Sequence, residues 1–191
     1  MSPATHFLAG WVCFERLLPA RRDKALVVLA GLAPDLDGLG IVVDFATRAL
    51  GLPETDYYQM FHRQYGHGLP AAILIGAIAG ALGARRYEAA VWAFASVHLH
   101  FLCDLLGSRG NDPGDIWGIW YLAPFSNAIE IAWPGQWPLV GWQNLAITAV
   151  LLAVALLRAA AAGYSPVRLL SGRLDAAFVA TLRDWKQRIA R

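Results

Sequence analysis

The chain has 191 residues, the length of one ordinary domain. Hydrophobic residues make up 57% and charged residues 16%, with a mean hydropathy of +0.43, where soluble domains run roughly 45–50% apolar and about 25% charged. This balance points to a membrane protein with the bilayer as its main partner. The net charge of +2 is too small to argue for nucleic acid, and none is expected as a partner; two widely separated cysteines, Cys13 and Cys103, do not make a disulfide framework.

The N-terminus lacks the basic start of a cleavable signal peptide, and its apolar stretch is broken by Glu15 and Arg16, so none is expected. Residues 6–18 read as a short helix. The apolar run 25–45 contains Pro34, Asp35 and Asp37 and is expected to be kinked or broken in its middle. Run 68–84 is rich in glycine and alanine, which suits close helix packing in lipid. Runs 89–106 and 139–157 follow, the latter closing at Arg158. A spanning helix needs about 20 residues. From 166 to 191, Leu169, Leu170, Leu174, Phe178, Leu182 and Trp185 recur at helical spacing against basic residues, the pattern of an amphipathic helix. The predicted fold is therefore all-α: a polytopic helical membrane protein with four to five spans. An embedded domain, 1–162, is followed by a cytoplasmic amphipathic tail, 163–191.

Charge distribution orients the chain. Basic clusters fall at Arg21-Arg22, at Arg85-Arg86 and across 158–191, where seven Arg/Lys face two Asp. The connections between them are acidic, with Glu54, Asp56, Asp112, Asp115 and Glu130. By the positive-inside rule the C-terminus is expected to be cytoplasmic and the acidic loops to lie on the opposite side. Trp117, Trp120, Trp133, Trp137 and Trp142 crowd the second long loop, as in an interfacial belt.

The few polar groups of the apolar segments are clustered. His100 and Asp104 are i and i+4 on one helix face, so both can reach one ion, and imidazole with carboxylate suits zinc, manganese or iron. His98 lies on another face and reads as packed. His62 and His67 flank a turn containing Gly66, and Arg63 between them is a natural clamp for phosphate or carboxylate. Asp35 and Asp37 sit inside an uncharged run, where ionisable groups are costly and default to function. The bland alternative is that one of them caps a helix starting near Leu39. His6 is a lone histidine, more often packed than ligating. Glu130 reads as solvated. No phosphate-binding loop, nucleophile elbow or dinucleotide fingerprint is present. On the predicted topology the candidate ligands converge toward one leaflet.

Five short motifs occur in order: Thr5-His6-x3-Gly10, Pro34-Asp35-x-Asp37, His62-Arg63-x3-His67, His100-x3-Asp104-x5-Gly110 and Ala123-Pro124-Phe125-Ser126. Over residues 1–130 this order resembles the bacterial inner-membrane, metal-dependent hydrolase family, and is distantly similar to zinc-dependent phospholipase C. The resemblance implies metal ligation by His6, Asp35, Asp37, His62, His67, His100 and Asp104, and a location in the bacterial inner membrane. The chain departs from the family pattern at Gln64, Gly66 and Gly68, where the family carries glycine, threonine and serine, and at Gly107, where it carries threonine. These departures remove hydroxyls but spare the ligands.

The expected function is hydrolysis of an ester or phosphoester, lipids included, by water activated on a divalent ion, zinc first and manganese or iron as alternatives, in a centre of one or two ions. Asp37 is the expected general base and Arg63 the anion clamp. The rival is a membrane protein that binds or handles metal without catalysis. A third reading is a structural partner with a relic site. The oligomeric state and the substrate's identity are not legible.

Overall fold

The computed structural model describes residues 1–189. Among them are eight α-helices: α1 (Pro3–Phe14), α2 (Arg21–Ala30), α3 (Gly40–Ala49), α4 (Tyr57–Phe61), α5 (Leu69–Leu82), α6 (Arg86–Gly107), α7 (Trp142–Ala162) and α8 (Gly172–Ile189). Ala33–Leu39 and Pro166–Leu169 are 3-10 turns. One short antiparallel pair, β1 (Ile119–Trp120) with β2 (Glu130–Ile131), lies in the loop between α6 and α7, with Ile119 opposite Ile131.

The chain is mostly helical, as expected, but four to five spans are not what it shows. Only α6 and α7 are each long and apolar enough to cross a bilayer; α2 with the segment Ala33–Ala49, bent by 50° at the break, would make a third. The reason is length. At 1.5 Å per residue, the 14 residues of α5 reach about 21 Å and the 12 of α1 about 18 Å, short of a hydrocarbon core about 30 Å thick. The apolar run 68–84 loses its ends to structure: Gly68 is extended before the helix, and Gly83 ends it. There the buried Asp23 carboxylate accepts the Ala84 and Arg85 N–H groups at 2.7 and 3.1 Å, which fixes the α5–α6 turn to the start of α2.

Successive bundle helices alternate in direction. The starts of α1 and α5 and the ends of α2 and α6 meet at one end of the bundle; the opposite termini meet at the other. At the first end, His100 on α6 reaches the Gly31 carbonyl after α2, and Asn144 on α7 donates to the Gly107 carbonyl that ends α6, at 2.7 Å. At the second end, the Arg158 guanidinium on α7 contacts the Val12 carbonyl of α1. Small residues set the α5–α6 distance: a β-carbon on Gly80 would stand 3.0 Å from the Ala90 β-carbon, and Ala72, Ala79, Ala89 and Ala93 are buried. Phe14, Leu18, Val27, Val97 and Phe101 complete the core. Outward-facing Leu74, Ile78, Val150 and Leu157 are exposed, as lipid-facing side chains would be.

The run 25–45 is broken as predicted. Pro34 disfavours helix in the residue before it, and the chain turns through 3-10 geometry from Ala33 to Leu39 before α3 resumes. The capping alternative does not hold: Leu39 is the residue preceding α3 and makes no side-chain cap bond, while Asp35 and Asp37 turn toward histidines. Gly163, in the left-handed region at φ +81°, ends α7. The chain then folds back, with Ser165 donating through N–H and hydroxyl to Asp175 at 2.8 and 2.6 Å and Arg183 Nε donating to the Ala160 carbonyl at 2.8 Å.

Candidate metal centre

Four elements bring the seven candidate ligands to one end of the bundle. His6 comes from the first turns of α1, Asp35 and Asp37 from the 3-10 turn, His62 and His67 from the connection between α4 and α5, and His100 and Asp104 from the last turns of α6. They form two adjoining groups. His6, Asp35, His100 and Asp104 offer ligand atoms all within 4.8 Å of one another, as do Asp37, His62 and His67. His67 joins the groups, with Nε2 3.5 Å from Asp104 Oδ2 and 3.1 Å from His100 Nε2.

Hydrogen bonds at the far side of each ring decide what the near side can do. His100 Nδ1 lies 2.9 Å from the Gly31 carbonyl oxygen, which can only accept. His67 Nδ1 lies 3.0 Å from Asp37 Oδ2. Both Nδ1 atoms therefore carry the proton, and in the neutral rings both Nε2 atoms present lone pairs. Two lone pairs facing at 3.1 Å need a cation or a proton near them. His6 Nε2 is 3.1 Å from Asp104 Oδ1, yet neither His6 nitrogen makes a hydrogen bond, and Asp35 Oδ2 is likewise buried without a partner. The His6 ring stacks on His100 with centroids 3.8 Å apart. Imidazole and carboxylate atoms that converge at one point, some of them unpartnered, are what a shared metal ligand set looks like. His6, Asp35, His67, His100 and Asp104 thus fit a divalent ion. Burial alone would lower the His67 pKa, but hydrogen bonds to Asp104 and Asp37 outweigh it and push the ring up to about 9.

Asp37 has a different surrounding. Oδ1 accepts from His62 Nδ1 at 2.7 Å, and Oδ2 accepts from His67 Nδ1 and from the Gly66 and Arg63 N–H groups at 3.0, 2.8 and 3.2 Å. Both oxygens are engaged, so the carboxylate is placed to orient two imidazoles and hold a turn. Asp35 is the carboxylate with an uncommitted oxygen, and it stands 3.7 Å from His100 Nε2.

Arg63 is held in the left-handed region at φ +80°, the one non-glycine residue with positive φ among those described. Such backbone is costly for a long side chain and is found where surrounding structure enforces it. Here the Asp37 bond to its N–H and the stacking of its guanidinium 3.4 Å from the Trp117 ring centroid do so. Arg63 and Arg109 line a polar cavity of about 410 Å³ beside the histidines. A second, largely apolar cavity of about 490 Å³ is walled by Leu39, Ile41 and Val140 and reaches Asp35, Asp104 and His62. Tyr58, His62, Ser108 and Trp117 border both.

Four features escaped the sequence reading. Ser108 donates to Asp104 Oδ1 at 2.8 Å; its i+4 spacing from Asp104 was the available signal, and it supplies a hydroxyl one residue beyond the unusual Gly107. The Met1 ammonium contacts Asp104 Oδ1 and lies 2.6 Å from Ser108 Oγ. The Gly31 carbonyl and the Trp117 ring carry no side-chain spacing signal at all. His98 stays outside, bonded to the Phe94 carbonyl and the Tyr121 hydroxyl, and Glu130 is exposed on β2.

The glycines that depart from the family motif have a steric cause. A β-carbon on Gly66 would overlap the Pro34 carbonyl, and one on Gly68 would stand 2.8 Å from the Ala123 carbonyl oxygen. Gly66→Thr, which adds the hydroxyl of the family pattern, is expected to cost about 1–3 kcal/mol through overpacking and to pull the Gly66 N–H from Asp37. A lowered Tm and reduced metal content in the purified variant would show it; an unchanged Tm would contradict it.

A family model described as the YdjM inner membrane protein matches residues 1–182. The chain belongs to this family. Membership covers α1 through most of α8, so the centre and both cavities fall inside the matched region. It carries the inner-membrane location expected from the motifs; the family's description names no reaction. No curated protein and no solved structure matches the chain.

Proposed function

We propose that this member of the YdjM inner membrane protein family is a metal-dependent hydrolase acting on an ester or phosphoester at the membrane. The observation that carries this reading is the convergence of the His67 and His100 Nε2 atoms at 3.1 Å, with both rings oriented by acceptors behind them and unpartnered atoms of His6 and Asp35 alongside. His6, Asp35, His67, His100 and Asp104 would hold the ion, with zinc as the first candidate for a nitrogen-rich set. When bound, such an ion supplies Lewis acidity and lowers the pKa of a coordinated water from about 15.7 to near 7. Asp37 keeps the His62 and His67 rings in the required tautomer. Asp35, through its free Oδ2, takes the base role first assigned to Asp37. Arg63 presents its guanidinium from the Trp117 face into the polar cavity, where it binds an anionic group. The adjoining apolar cavity suits a hydrocarbon chain, which favours a lipid substrate. A multi-pass topology with the centre on the non-cytoplasmic side and a cytoplasmic C-terminus accords with the basic residues at the other end.

The test is turnover of a panel of phosphoesters and lipid esters by detergent-purified protein, with metal content by elemental mass spectrometry on the same sample. Turnover abolished by chelation and restored by zinc or manganese supports hydrolysis. Stoichiometric metal with no turnover across the panel would favour metal handling instead, and absence of bound metal after chelator-free purification would sink both.

A further inference from the structure

The opposite end of the bundle carries a second concentration of charge, about 15 Å away along the 10 residues of α2. A cavity of about 240 Å³ opens there between α1, α2 and the turn after α7. Arg21 and Lys24 of α2 and Arg168 of the 3-10 turn line it, with Trp11 and Tyr164 as walls, and no carboxylate lines it among the described residues. The nearest acid, Glu15, is buried and already engaged: it accepts from the Tyr164 hydroxyl at 2.5 Å and from Arg16 Nε at 3.1 Å, with Arg158 Nη1 3.8 Å away.

Two of the three positive groups are tethered by hydrogen bonds. Arg21 Nη2 donates to the Leu169 carbonyl at 3.0 Å, and Lys24 Nζ donates to the Tyr164 hydroxyl at 3.3 Å. That hydroxyl donates onward to Glu15, and burial together with this bond pushes the Tyr164 pKa up to about 12, so it stays a neutral donor. Lys24 Nζ and the Arg168 guanidinium lie 4.5 and 5.7 Å from the Tyr164 ring centroid. The first turn of α2 carries one carboxylate, Asp23, and it is committed to the Ala84 and Arg85 N–H groups on the α5–α6 turn. Three cations drawn from two elements onto one cavity repel one another, and an anion is what relieves the repulsion. Basic pockets between helices at the cytoplasmic face bind phosphate-bearing headgroups.

We infer that this cavity binds the phosphate of an anionic lipid headgroup at the leaflet opposite the metal centre. The site is independent of hydrolysis, and its occupation adds to the contacts that already join α1, α2 and the α7–α8 turn, among them Arg21 to the Leu169 carbonyl and Trp11 on Tyr164.

The experiment is native mass spectrometry of the full chain from zwitterionic micelles doped with phosphatidylglycerol or phosphatidylcholine. Wild type is expected to retain phosphatidylglycerol in preference. Arg21→Gln/Lys24→Gln/Arg168→Gln should weaken that retention on the order of a hundredfold, from about fivefold per basic residue. Arg85→Gln/Arg86→Gln/Arg173→Gln, which removes equal charge elsewhere, should change it little. Inorganic phosphate that raises the Tm of lipid-free wild type, but not of the first variant, would support the same phosphate chemistry with a soluble source. Equal retention by wild type and the first variant, or equal loss in both variants, would overturn the site. Should the triple variant misfold, the exposed Arg168→Gln alone is expected to lose about fivefold, and no loss there counts equally against it.

Discussion

Asp104→Asn is expected to abolish stoichiometric metal binding and, with it, metal-dependent turnover. No other residue of the centre touches as much: its oxygens lie 3.0 Å from His100 Nε2, 3.1 Å from His6 Nε2 and 3.5 Å from His67 Nε2, and they accept from Ser108 and contact the Met1 ammonium. Asparagine keeps the shape and removes the charge, so loss of metal cannot be ascribed to a cavity. The decrease in affinity should exceed the roughly 10–100-fold typical of an orienting partner. Stability gives a second readout. An ion present at 1,000 times its Kd stabilises the folded state by about 4.1 kcal/mol, so chelation should lower the Tm of wild type and leave that of the variant where it is. Metal retained at wild-type stoichiometry and affinity in Asp104→Asn would show that Asp104 is not a ligand.

Asp37→Asn is expected to weaken metal binding roughly 10–100-fold while leaving a site that saturating metal refills. The variant keeps every atom of the first ligand group and loses the charge that four donors share at Asp37. Its His62 and His67 rings become free to present the wrong tautomer. Turnover should recover with occupancy. A base behaves in the opposite way: its removal would leave occupancy unchanged and cost about 10²–10⁴ in rate at any metal concentration, with the acidic limb of the pH profile gone. Asp35→Asn removes a ligand as well as the base, so it is expected to bind metal more weakly and to keep that rate deficit even when metal saturates it. Unchanged occupancy with the same rate deficit in Asp37→Asn would return the base role to Asp37.

The ligand types were legible because burial makes them expensive. A chain with 57% hydrophobic residues and five histidines has little reason to place His100 four residues before Asp104, or two aspartates beside Pro34, unless something compensates them. The roles within the cluster were not legible. Asp35 and Asp37 are two residues apart and chemically identical in sequence; the 3-10 turn sends one toward His100 and the other toward His62 and His67. Only the turn's geometry separates a carboxylate with a free oxygen from one with none. Arg63 was singled out for its charge, but its left-handed backbone and its stacking on Trp117, 54 positions further along the chain, arise from contacts no local pattern encodes.

Composition and periodicity by themselves determined that this is a helical membrane protein and that its run 25–45 breaks at Pro34, and they marked His62, His67, His100 and Asp104 as candidates for chemistry, because hydropathy, proline stereochemistry and the cost of burying charge act locally. The tertiary structure decided how many helices are long enough to span, since Gly83 and the Asp23 cap cut α5 short. It also decided which imidazole nitrogens face one another, since Gly31 and Asp37 orient rings that approach them from other elements. Length after capping and the direction of a lone pair are products of contact between distant segments, and a linear pattern carries neither.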